Sequence, residues 1–383
     1  MLVMINIIYF LGELIGDDNN TRGVARNAAA LYRDSGQAVT ITEFKSSVEN
    51  IEDARKLIIS LDNTRDSIIT ISSGESGLAP LKALKASFGK KIFTSWSAHQ
   101  LSGSMDFTIL DQISLPLGVA SHDVKVALGR KLIETVGIPH NLTRTDLESD
   151  YLAWKDKLAV TNKKKLVVIL GGDAPNPEGK QLLYTTKEAR HLAEYVVSLA
   201  TKNDYYIYIT NGPRTGRFNA DTKKENKIAH RADIDITIPT DEVSTAFTQK
   251  LTAKGVMYHF IDFRYNSPSS FKALLKIADK VILPGESTSM ISEASDFVDD
   301  ITVYLTNSMN VNHFLSVEQI KLTRRIDVLD LTFKLKASLL PVSTYTEPAA
   351  LTVAKGIRAR IVELMFLREK LVLSHLKYQS AIK

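Results

Sequence analysis

The sequence contains no cysteine, and this absence excludes several kinds of chemistry. Without thiols the chain has no disulfide framework, no thiolate nucleophile and no cysteine-ligated metal site. No apolar run approaches the roughly 18 residues of a membrane-spanning helix, so no membrane span is expected. The apolar start, residues 1–11, lacks a basic stretch and a small-residue cleavage site and is interpreted as a buried strand. The expected location is therefore cytoplasmic.

Several familiar catalytic motifs are missing as well. No Gly-x-Ser-x-Gly turn, no Gly-Lys-Ser/Thr phosphate loop and no Gly-x-Gly-x-x-Gly turn follows a predicted strand. Their absence argues against an α/β-hydrolase, a P-loop nucleotidase and a typical dinucleotide enzyme. The acidic pairs Asp17-Asp18 and Asp299-Asp300 have no further ligand at a useful spacing. They are interpreted as solvated turns, and neither a metal site nor a cofactor is expected.

Positive charge is placed unevenly along the chain. The net charge is +5, and residues 350–383 alone hold seven basic and two acidic side chains, so the remainder is neutral. A nucleic-acid-binding protein is expected to spread basic charge over a folded face, so no nucleic-acid partner is predicted. Apolar residues recur at helical spacing within this basic segment, at Ile357, Ile361, Leu364, Leu367 and Leu371. They predict one helix over 350–381 that braces the first domain, with peripheral membrane contact as the alternative.

The length of 383 residues favours two domains. Strand-like and helix-like stretches alternate, and the alternation restarts near residue 166, which is typical of βαβ units with parallel sheets. The predicted strands are 5–11, 38–44, 67–73, 91–94 and 107–110, then 166–170, 205–210, 256–262, 281–283 and 301–305. Two consecutive helices, 123–136 and 146–159, end the first half, and the polar stretch 217–240 is interpreted as a surface insertion.

This organisation predicts an α/β fold of two doubly wound Rossmann-like domains that face a cleft, plus a C-terminal helix. The predicted bounds are 1–160, 161–315 and, for a C-terminal helical extension, 316–383. Ligands of such sheets bind at the carboxyl ends of the strands. Candidate site residues are therefore sought in the loops at those ends.

The stretch 280–294 is the most informative of these loops because it combines a strand, a glycine turn, hydroxyl side chains and a helix. A helix N-terminus presented in this way suits an anionic ligand. Ser287, Thr288 and Ser289 supply hydroxyls, and Glu293 shares a helix face with Ser289. The alternative is an ordinary capped turn. The other candidates within the stretch are Gly285, Glu286 and Met290.

Three further loops of the second half lie at carboxyl ends of predicted strands. Gly171, Gly172 and Asp173 follow the first strand, and the glycines would let a ligand approach the backbone. Asn211, Arg214 and Thr215 follow the second, and the arginine suits a bidentate phosphate contact. Residues 263–266 follow the third. Together the four loops predict a nucleotide or nucleotide-sugar pocket.

The loops of the first half carry polar candidates too. Gly16, Asp17 and Asn20 precede the first helix, Gly74 and Glu75 follow the third strand, and His99 and His122 lie on later loops. Helix capping is the alternative interpretation for each loop. A loop histidine could act as a general base. The candidate catalytic residues are His99, His122 and Asp17.

Three motifs identify a family resemblance: Gly171-Gly172, the N-G-P-R-T segment at 211–215, and ALLKIADKVILPGESTSMISEA at 273–294. With them the chain resembles the mitochondrial-fission "elongated mitochondria" family, a plant fission protein and bacterial relatives of glycosyltransferase-B-like fold. The segment L-P-L-G-V-A-S-H-D at 115–123 and a G-x-x-N pattern before the first helix also fit. The resemblance covers roughly residues 5–314. The family typically has aspartate where this chain has Glu286.

The resemblance implies a glycosyltransferase-like protein that binds a nucleoside-diphosphate sugar in the interdomain cleft. The second domain would hold the nucleotide sugar and the first an unknown acceptor. In related glycosyltransferases a glutamate placed like Glu293 contacts the ribose and the preceding serines contact the diphosphate, without a metal. The alternatives are a non-catalytic scaffold that binds a fission-type partner and a nucleotide-sugar epimerase of the same architecture.

Overall fold

A computed structural model describes residues 4–12, 14–61, 66–99, 101, 106–158, 161–176, 178–219, 222–225, 240–265, 270–324, 326–337, 339 and 347–364. The chain divides into two compact units, each with its own parallel sheet. Unit 1 contains residues 1–141 and 347–383, and unit 2 contains residues 142–346.

The sheet of unit 1 has six parallel strands in the order β2-β1-β3-β4-β5-β6 over its described residues. The strands are β1 (Met4–Leu11), β2 (Ala38–Lys45), β3 (Ser67–Ser73), β4 (Ile92–Ser97), β5 (Gln112–Pro116) and β6 (Leu132–Thr135). The helices are α1 (Ile15–Arg33), α2 (Val48–Ser60), α3 (Leu78–Phe88) and α4 (His122–Leu128). The strand order reverses between β1 and β3, which makes their carboxyl ends the switch point where such sheets bind ligands.

Side chains alternate along these strands and build a core on each face of the sheet. Ile7 and Ile71 pack with α1 on one face. Ile8 and Ile68 pack with α2 and α3 on the other. This two-sided burial explains why the strands are continuous apolar runs and not alternating ones.

Residues 349–364 form a helix that completes the first of these cores. Val353 and Ile357 are fully buried and Ile361 nearly so, together with side chains of α1, β1 and β3. The bracing of the first domain by the C-terminal helix is thus confirmed for this segment. The rest of the predicted helix lies outside the described residues.

The sheet of unit 2 has seven strands in the order β11-β10-β7-β12-β13-β14-β15 over the described residues, parallel except for β15. The strands are β7 (Lys164–Ile169), β10 (Tyr205–Thr210), β11 (Tyr258–Ile261), β12 (Lys280–Pro284), β13 (Ile301–Tyr304), β14 (Asp327–Leu329) and β15 (Leu335–Lys336). A short hairpin pairs β8 (Ala174–Pro175) with β9 (Gln181–Leu182). The order reverses between β7 and β12, which is the switch point of this sheet.

Helices cover both faces of this second sheet. They are α5 (Arg144–Trp154), α6 (Thr186–Asn203), α7 (Glu242–Ala253), α8 (Ser270–Ile277), α9 (Thr288–Ser295) and α10 (Val311–Thr323). A capping box formed by Thr185 and Glu188 opens α6. Val167 and Leu283 face one core and Val168 and Ile282 the other. The predicted α/β class with two doubly wound sheets is confirmed.

Several predicted elements of unit 1 are wrong. Residues 107–110 form a turn, and the fifth strand is Gln112–Pro116. The predicted helix 123–136 ends at Leu128, and Leu132–Thr135 is an edge strand. Gly129 causes the break, because its φ of +49° lies in a region that favours glycine.

The bounds of the two units differ from the predicted domain bounds. The division falls after Asn141 and not after residue 160, because α5 groups with unit 2. Residues 316–383 do not form one extension. Those up to 346 belong to unit 2, where β14 extends the sheet, and those from 347 belong to unit 1. Most of the predicted insertion 217–240 lies outside the described residues.

Among the described residues no helix is both long and apolar enough to span a membrane. Within the same part of the chain no group of three or more histidine, aspartate or glutamate side chains is arranged to hold a metal ion.

Candidate functional site

The loops that follow β7 and β12 meet at the switch point of unit 2. The backbone N–H of Gly172 donates a hydrogen bond of 2.6 Å to Oε1 of Glu286. A Cβ atom at position 172 would lie 2.7 Å from the Cβ of Arg214, so only glycine fits without displacement. Gly171 is also confined, with the ring of Tyr184 3.2 Å from where its Cβ would be. Gly171 and Gly172 therefore allow the loops after β7, β10 and β12 to pack closely.

The side chain of Glu286 is buried among these loops. It is 3% exposed, and its Oε2 accepts a 3.2 Å hydrogen bond from the hydroxyl of Thr306, which is itself 2.8 Å from Ser308 Oγ. Burial raises the pKa of the Glu286 carboxyl, whereas the hydrogen bond from Gly172 and the charge of Arg214 lower it. Glu286 thus joins the ends of β7, β12 and β13.

The raised pKa of Glu286 predicts a pH-dependent effect of Glu286→Gln on stability. Below its ordinary value of 4.5 the carboxyl is protonated in the folded and unfolded chains alike. As the pH rises above 4.5 the unfolded chain ionises first, so burial of the charge destabilises the fold, fully so above the folded-state pKa. The melting temperature of the variant relative to the parent is therefore expected to increase as the pH rises through this window.

Thermal melts of the parent, Glu286→Gln and the exposed control Glu75→Gln, taken from pH 4 upwards, measure this effect. The amide keeps an oxygen for the Gly172 N–H and remains close in shape. A difference between Glu286→Gln and the parent that stays constant with pH would contradict the prediction.

Three other predicted nucleotide-binding residues use their side chains within the protein. Asp173 is buried and accepts hydrogen bonds of 2.9 Å from the N–H groups of Tyr184 and Phe218. Asn211 donates to Asp241 and Ser244 and accepts from the N–H of Phe263. Thr215 Oγ1 accepts from the N–H of Gly212 at 3.0 Å. These contacts give the three residues a clear part in shaping the loops.

The side chain of Arg214 differs in its contacts from those of Asp173, Asn211 and Thr215. Its guanidinium group makes no hydrogen bond and no ion pair within the part of the chain that the structure describes, although it is half buried. Its charge acts on the buried carboxyls of Asp173 and Glu286 and lowers the pKa of both, against the larger effect of burial. A partly buried cation of this kind is available to a further anion.

The first turn of α9 offers hydrogen-bond donors that suit the same anion. Ser287 occupies the N-cap position, but its side chain makes no capping hydrogen bond. The hydroxyls of Thr288 and Ser289 likewise have no hydrogen-bond partner among the described residues, and all three side chains are half buried. The helix N-terminus therefore presents N–H groups, three hydroxyls and a favourable dipole beside Glu286.

The remaining predicted residues of this motif frame the turn. A Cβ at Gly285 would lie 2.5 Å from Sδ of Met309, so the end of the Met309 side chain would have to move to admit any other residue there. Met290 is half buried and packs against the hydrophobic core of the unit. Glu293 is half buried on α9, one turn after Ser289.

Unit 1 places Asp17 at its own switch point. Gly16, Asp17 and Asn20 belong to α1, which begins at Ile15, so the prediction of a loop before the helix is wrong. Acidic residues in a first turn are favoured by the helix dipole. Asp18 Oδ1 accepts a 2.8 Å hydrogen bond from the N–H of Gly12, which fixes this turn to the end of β1.

The Asp17 carboxyl is buried, so its interpretation as part of a solvated turn is wrong. It lies against Gly74, where a Cβ would be only 2.1 Å from Asp17 Oδ2, and Gly74 has a φ of +69°. No hydrogen bond to this carboxyl is found among the described residues. Burial raises its pKa, and the charge of His99 lowers it.

The other candidates of unit 1 lie at the surface. His99 is exposed just after β4, and its charge acts on Asp17. His122 is the exposed first residue of α4, and Glu75 is exposed beside Gly74. The structure thus brings Asp17, Gly74 and His99 together at one end of the sheet.

Some residues of the unit 2 site were not predicted. Thr306 and Ser308 complete the environment of Glu286, and Glu188 Oε1 accepts a 2.8 Å hydrogen bond from the N–H of Asn307 in the same loop. The signal that could have found Thr306 and Ser308 was their position directly after a predicted strand. Glu188 also caps α6, through its other carboxylate oxygen.

Two parallel, doubly wound sheets with polar loops at their switch points define an α/β protein of the glycosyltransferase-B-like class. A family model described as "Mitochondrial fission ELM1" matches residues 16–232, more than half of the chain. The chain belongs to this family, which confirms the resemblance. The matched region includes Asp17, Gly172 and Arg214 and ends before α9.

Two solved structures are similar to this chain over most of its length. The UDP-GlcNAc 2-epimerase from Methanocaldococcus jannaschii is similar with a TM-score of 0.50 and 11% identity, over 95% of this chain and 100% of that one. ADP-heptose lipopolysaccharide heptosyltransferase II of E. coli has a TM-score of 0.41 and 11% identity, over 94% and 99% of the two chains. At such identity the likeness concerns the fold alone. No curated protein matches the chain.

Proposed function

We propose that this protein is a glycosyltransferase whose unit 2 binds a nucleoside-diphosphate sugar at the carboxyl ends of β7 and β12. The observation that carries the proposal is that Arg214, a half-buried cation without an ion-pair partner among the described residues, acts on the buried carboxyl of Glu286, the residue directly before the uncapped N-terminus of α9. A diphosphate would accept hydrogen bonds from the N–H groups of Thr288 and Ser289 and from the hydroxyls of residues 287–289. Arg214 would supply the opposing charge.

The same groups suit the chemistry of sugar transfer. As the bond to the sugar breaks, negative charge develops on the leaving nucleoside diphosphate. A fixed guanidinium and a helix N-terminus stabilise that charge without reorganisation. Glu293, half buried on α9, would accept hydrogen bonds from the ribose hydroxyls, as the family resemblance implies. Glu286 would not touch the ligand but would hold Gly172 and Thr306 in place around it.

A glycosyltransferase also needs a base for the acceptor hydroxyl, and Asp17 of unit 1 is the side chain best suited to that role. It lies at the switch point of its sheet, and burial raises its pKa, which makes it a better proton acceptor near neutral pH. His99 and His122 remain the other candidates. The acceptor would be held by unit 1.

Arg214→Ala is the variant that tests the nucleotide site. A hydrogen bond to a charged group contributes about 1.5 to 3 kcal/mol, so its loss should weaken nucleotide binding on the order of tenfold or more. Titration calorimetry with UDP, GDP, ADP and CDP measures the affinity of the parent and of the variant.

Arg217→Ala is the matched control, because Arg217 lies three residues further on, is exposed and pairs with Glu225 at 2.7 Å. It is expected to bind nucleotide as the parent does. Equal affinity of the parent and Arg214→Ala would remove Arg214 from the site and, with it, the basis of the proposal.

The reaction itself is tested by incubating the protein with UDP-, GDP-, ADP- and CMP-sugars and candidate acceptors. Release of nucleotide with a glycosylated product supports transfer. Conversion of the donor sugar without a glycosylated product would show that the protein is an epimerase and not a glycosyltransferase. Nucleotide binding without either product would indicate a non-catalytic protein of this fold. A cytoplasmic location, and contact of the basic segment 350–383 with a membrane surface, belong to the same proposal.

A further inference from the structure

Three serines form a row across the sheet of unit 1. Ser73, Ser97 and Ser114 end or nearly end the neighbouring strands β3, β4 and β5, and they are in register with one another. Residues in register on parallel strands project from the same face of the sheet. The row therefore places three hydroxyls side by side at the carboxyl edge, beginning at β3, which borders the switch point.

None of these hydroxyls has a hydrogen-bond partner in the described part of the chain, and each serine is only 1% exposed. They project from the face covered by α1 and by the helix over residues 349–364, because Ile69 and Ile71, which lie on the same face of β3 as Ser73, pack with both helices. The Oδ1 atom of Asn20 on α1 is also buried without a partner. Asn20 lies one turn before Val24, which packs on the same face.

Buried polar atoms in native proteins are nearly always hydrogen-bonded, to protein, water or ligand. These four atoms lie on one face beside a ligand-binding switch point, and they therefore point to a group that is absent from the protein itself. The serine hydroxyls both donate and accept, and none of the four groups is charged. They suit neutral hydroxyl groups and would not compensate the charge of a phosphate or an ammonium ion.

We propose that the row Ser73, Ser97 and Ser114 binds the hydroxyl groups of a neutral sugar or polyol. The row adjoins the Asp17 carboxyl, because Asp17 lies against Gly74 and the N–H of Gly74 is bonded to the carbonyl of Ser97 at 2.9 Å. Access requires the first turn of α1 to shift. That turn begins after Leu14, which provides no side-chain cap, and its link to the end of β1 is the hydrogen bond from the N–H of Gly12 to Asp18 Oδ1.

This inference rests on unit 1 alone and deepens the proposed function by giving the class of the acceptor. The test is a panel of glucose, galactose, mannose, N-acetylglucosamine, myo-inositol and glycerol, measured by saturation-transfer NMR and thermal shift on the full chain. At least one of them is expected to bind the parent. The triple variant Ser73→Ala, Ser97→Ala, Ser114→Ala should weaken that binding by about tenfold or more.

Ser95→Ala is the matched control. Ser95 is a buried serine on the same face of β4, but its hydroxyl already accepts a 3.3 Å hydrogen bond from Nε2 of Gln112. Its loss should lower the melting temperature slightly and leave sugar binding unchanged. The triple variant loses no hydrogen bond to protein and is expected to keep the melting temperature of the unliganded parent.

The proposal is overturned if none of the panel binds, if the triple variant binds as tightly as the parent, or if only sugar phosphates bind. A triple variant that melts well below the unliganded parent would also overturn it, in favour of ordered water held by the row. Arg214→Ala should weaken nucleotide binding and keep sugar binding, and the triple variant should do the reverse. The two proposals can therefore fail independently.

Discussion

Replacing Ile357 by Asp is expected to unfold unit 1 under conditions in which the parent is stable. Ile357 is fully buried in the core that the C-terminal helix forms with α1, β1 and β3. The change removes a large apolar side chain and leaves a carboxylate in an apolar environment without a partner. The free energy of unfolding should fall by about 4 kcal/mol or more.

Denaturant titration followed by circular dichroism measures this effect. Val362 lies on the same helix and is 59% exposed, so Val362→Asp should change stability by about 0.5 kcal/mol or less. If the two variants were equally stable, the helix over residues 349–364 would not be part of the core of unit 1.

Replacing Gly172 by Ala is expected to damage the fold and the proposed nucleotide site together. The added Cβ would lie 2.7 Å from Cβ and 3.1 Å from the carbonyl carbon of Arg214. The loops must then separate. That movement would strain the 2.9 Å hydrogen bond from the N–H of Asp173 to the carbonyl of Arg214. Overpacking of this kind costs about 1 to 3 kcal/mol, and the displaced Arg214 should lose the diphosphate.

Gly212→Ala is the matched control for this change, since it is the same substitution in the loop that carries Arg214. A Cβ at position 212 meets nothing closer than Thr215 Oγ1 at 4.0 Å. Thermal melts and nucleotide titrations of both variants decide the matter. A Gly172→Ala variant that melted and bound like Gly212→Ala would mean that the approach of the three loops is not needed.

The sequence was a good guide to the strands that form the middle of each sheet. Those strands are buried on both faces, so their apolar runs are continuous, and the predicted runs 67–73 and 205–210 match β3 and β10. Edge strands were harder. Leu132–Thr135 is short and only half buried, so its residues carry a weaker pattern and were assigned to a helix.

The candidate site, too, could be predicted only in part from the sequence. Its loops could be located, because the carboxyl ends of parallel strands lie at one edge and each loop follows a recognisable strand. The sequence also singled out Arg214 and the hydroxyls of 287–289. It did not separate those side chains from Asp173 and Asn211, whose hydrogen bonds are satisfied within the protein.

What the sequence determined by itself was local: the alternation of strand and helix, the glycine turns and the family to which the chain belongs. Only the tertiary structure decided which polar side chains face inward and which are available to a ligand. The physical reason is that hydrogen-bond partners come from distant positions. Gly172 and Glu286 are 114 residues apart, and no pattern along the chain specifies their contact. The serines at 73, 97 and 114 likewise become a row only when β3, β4 and β5 pair in register.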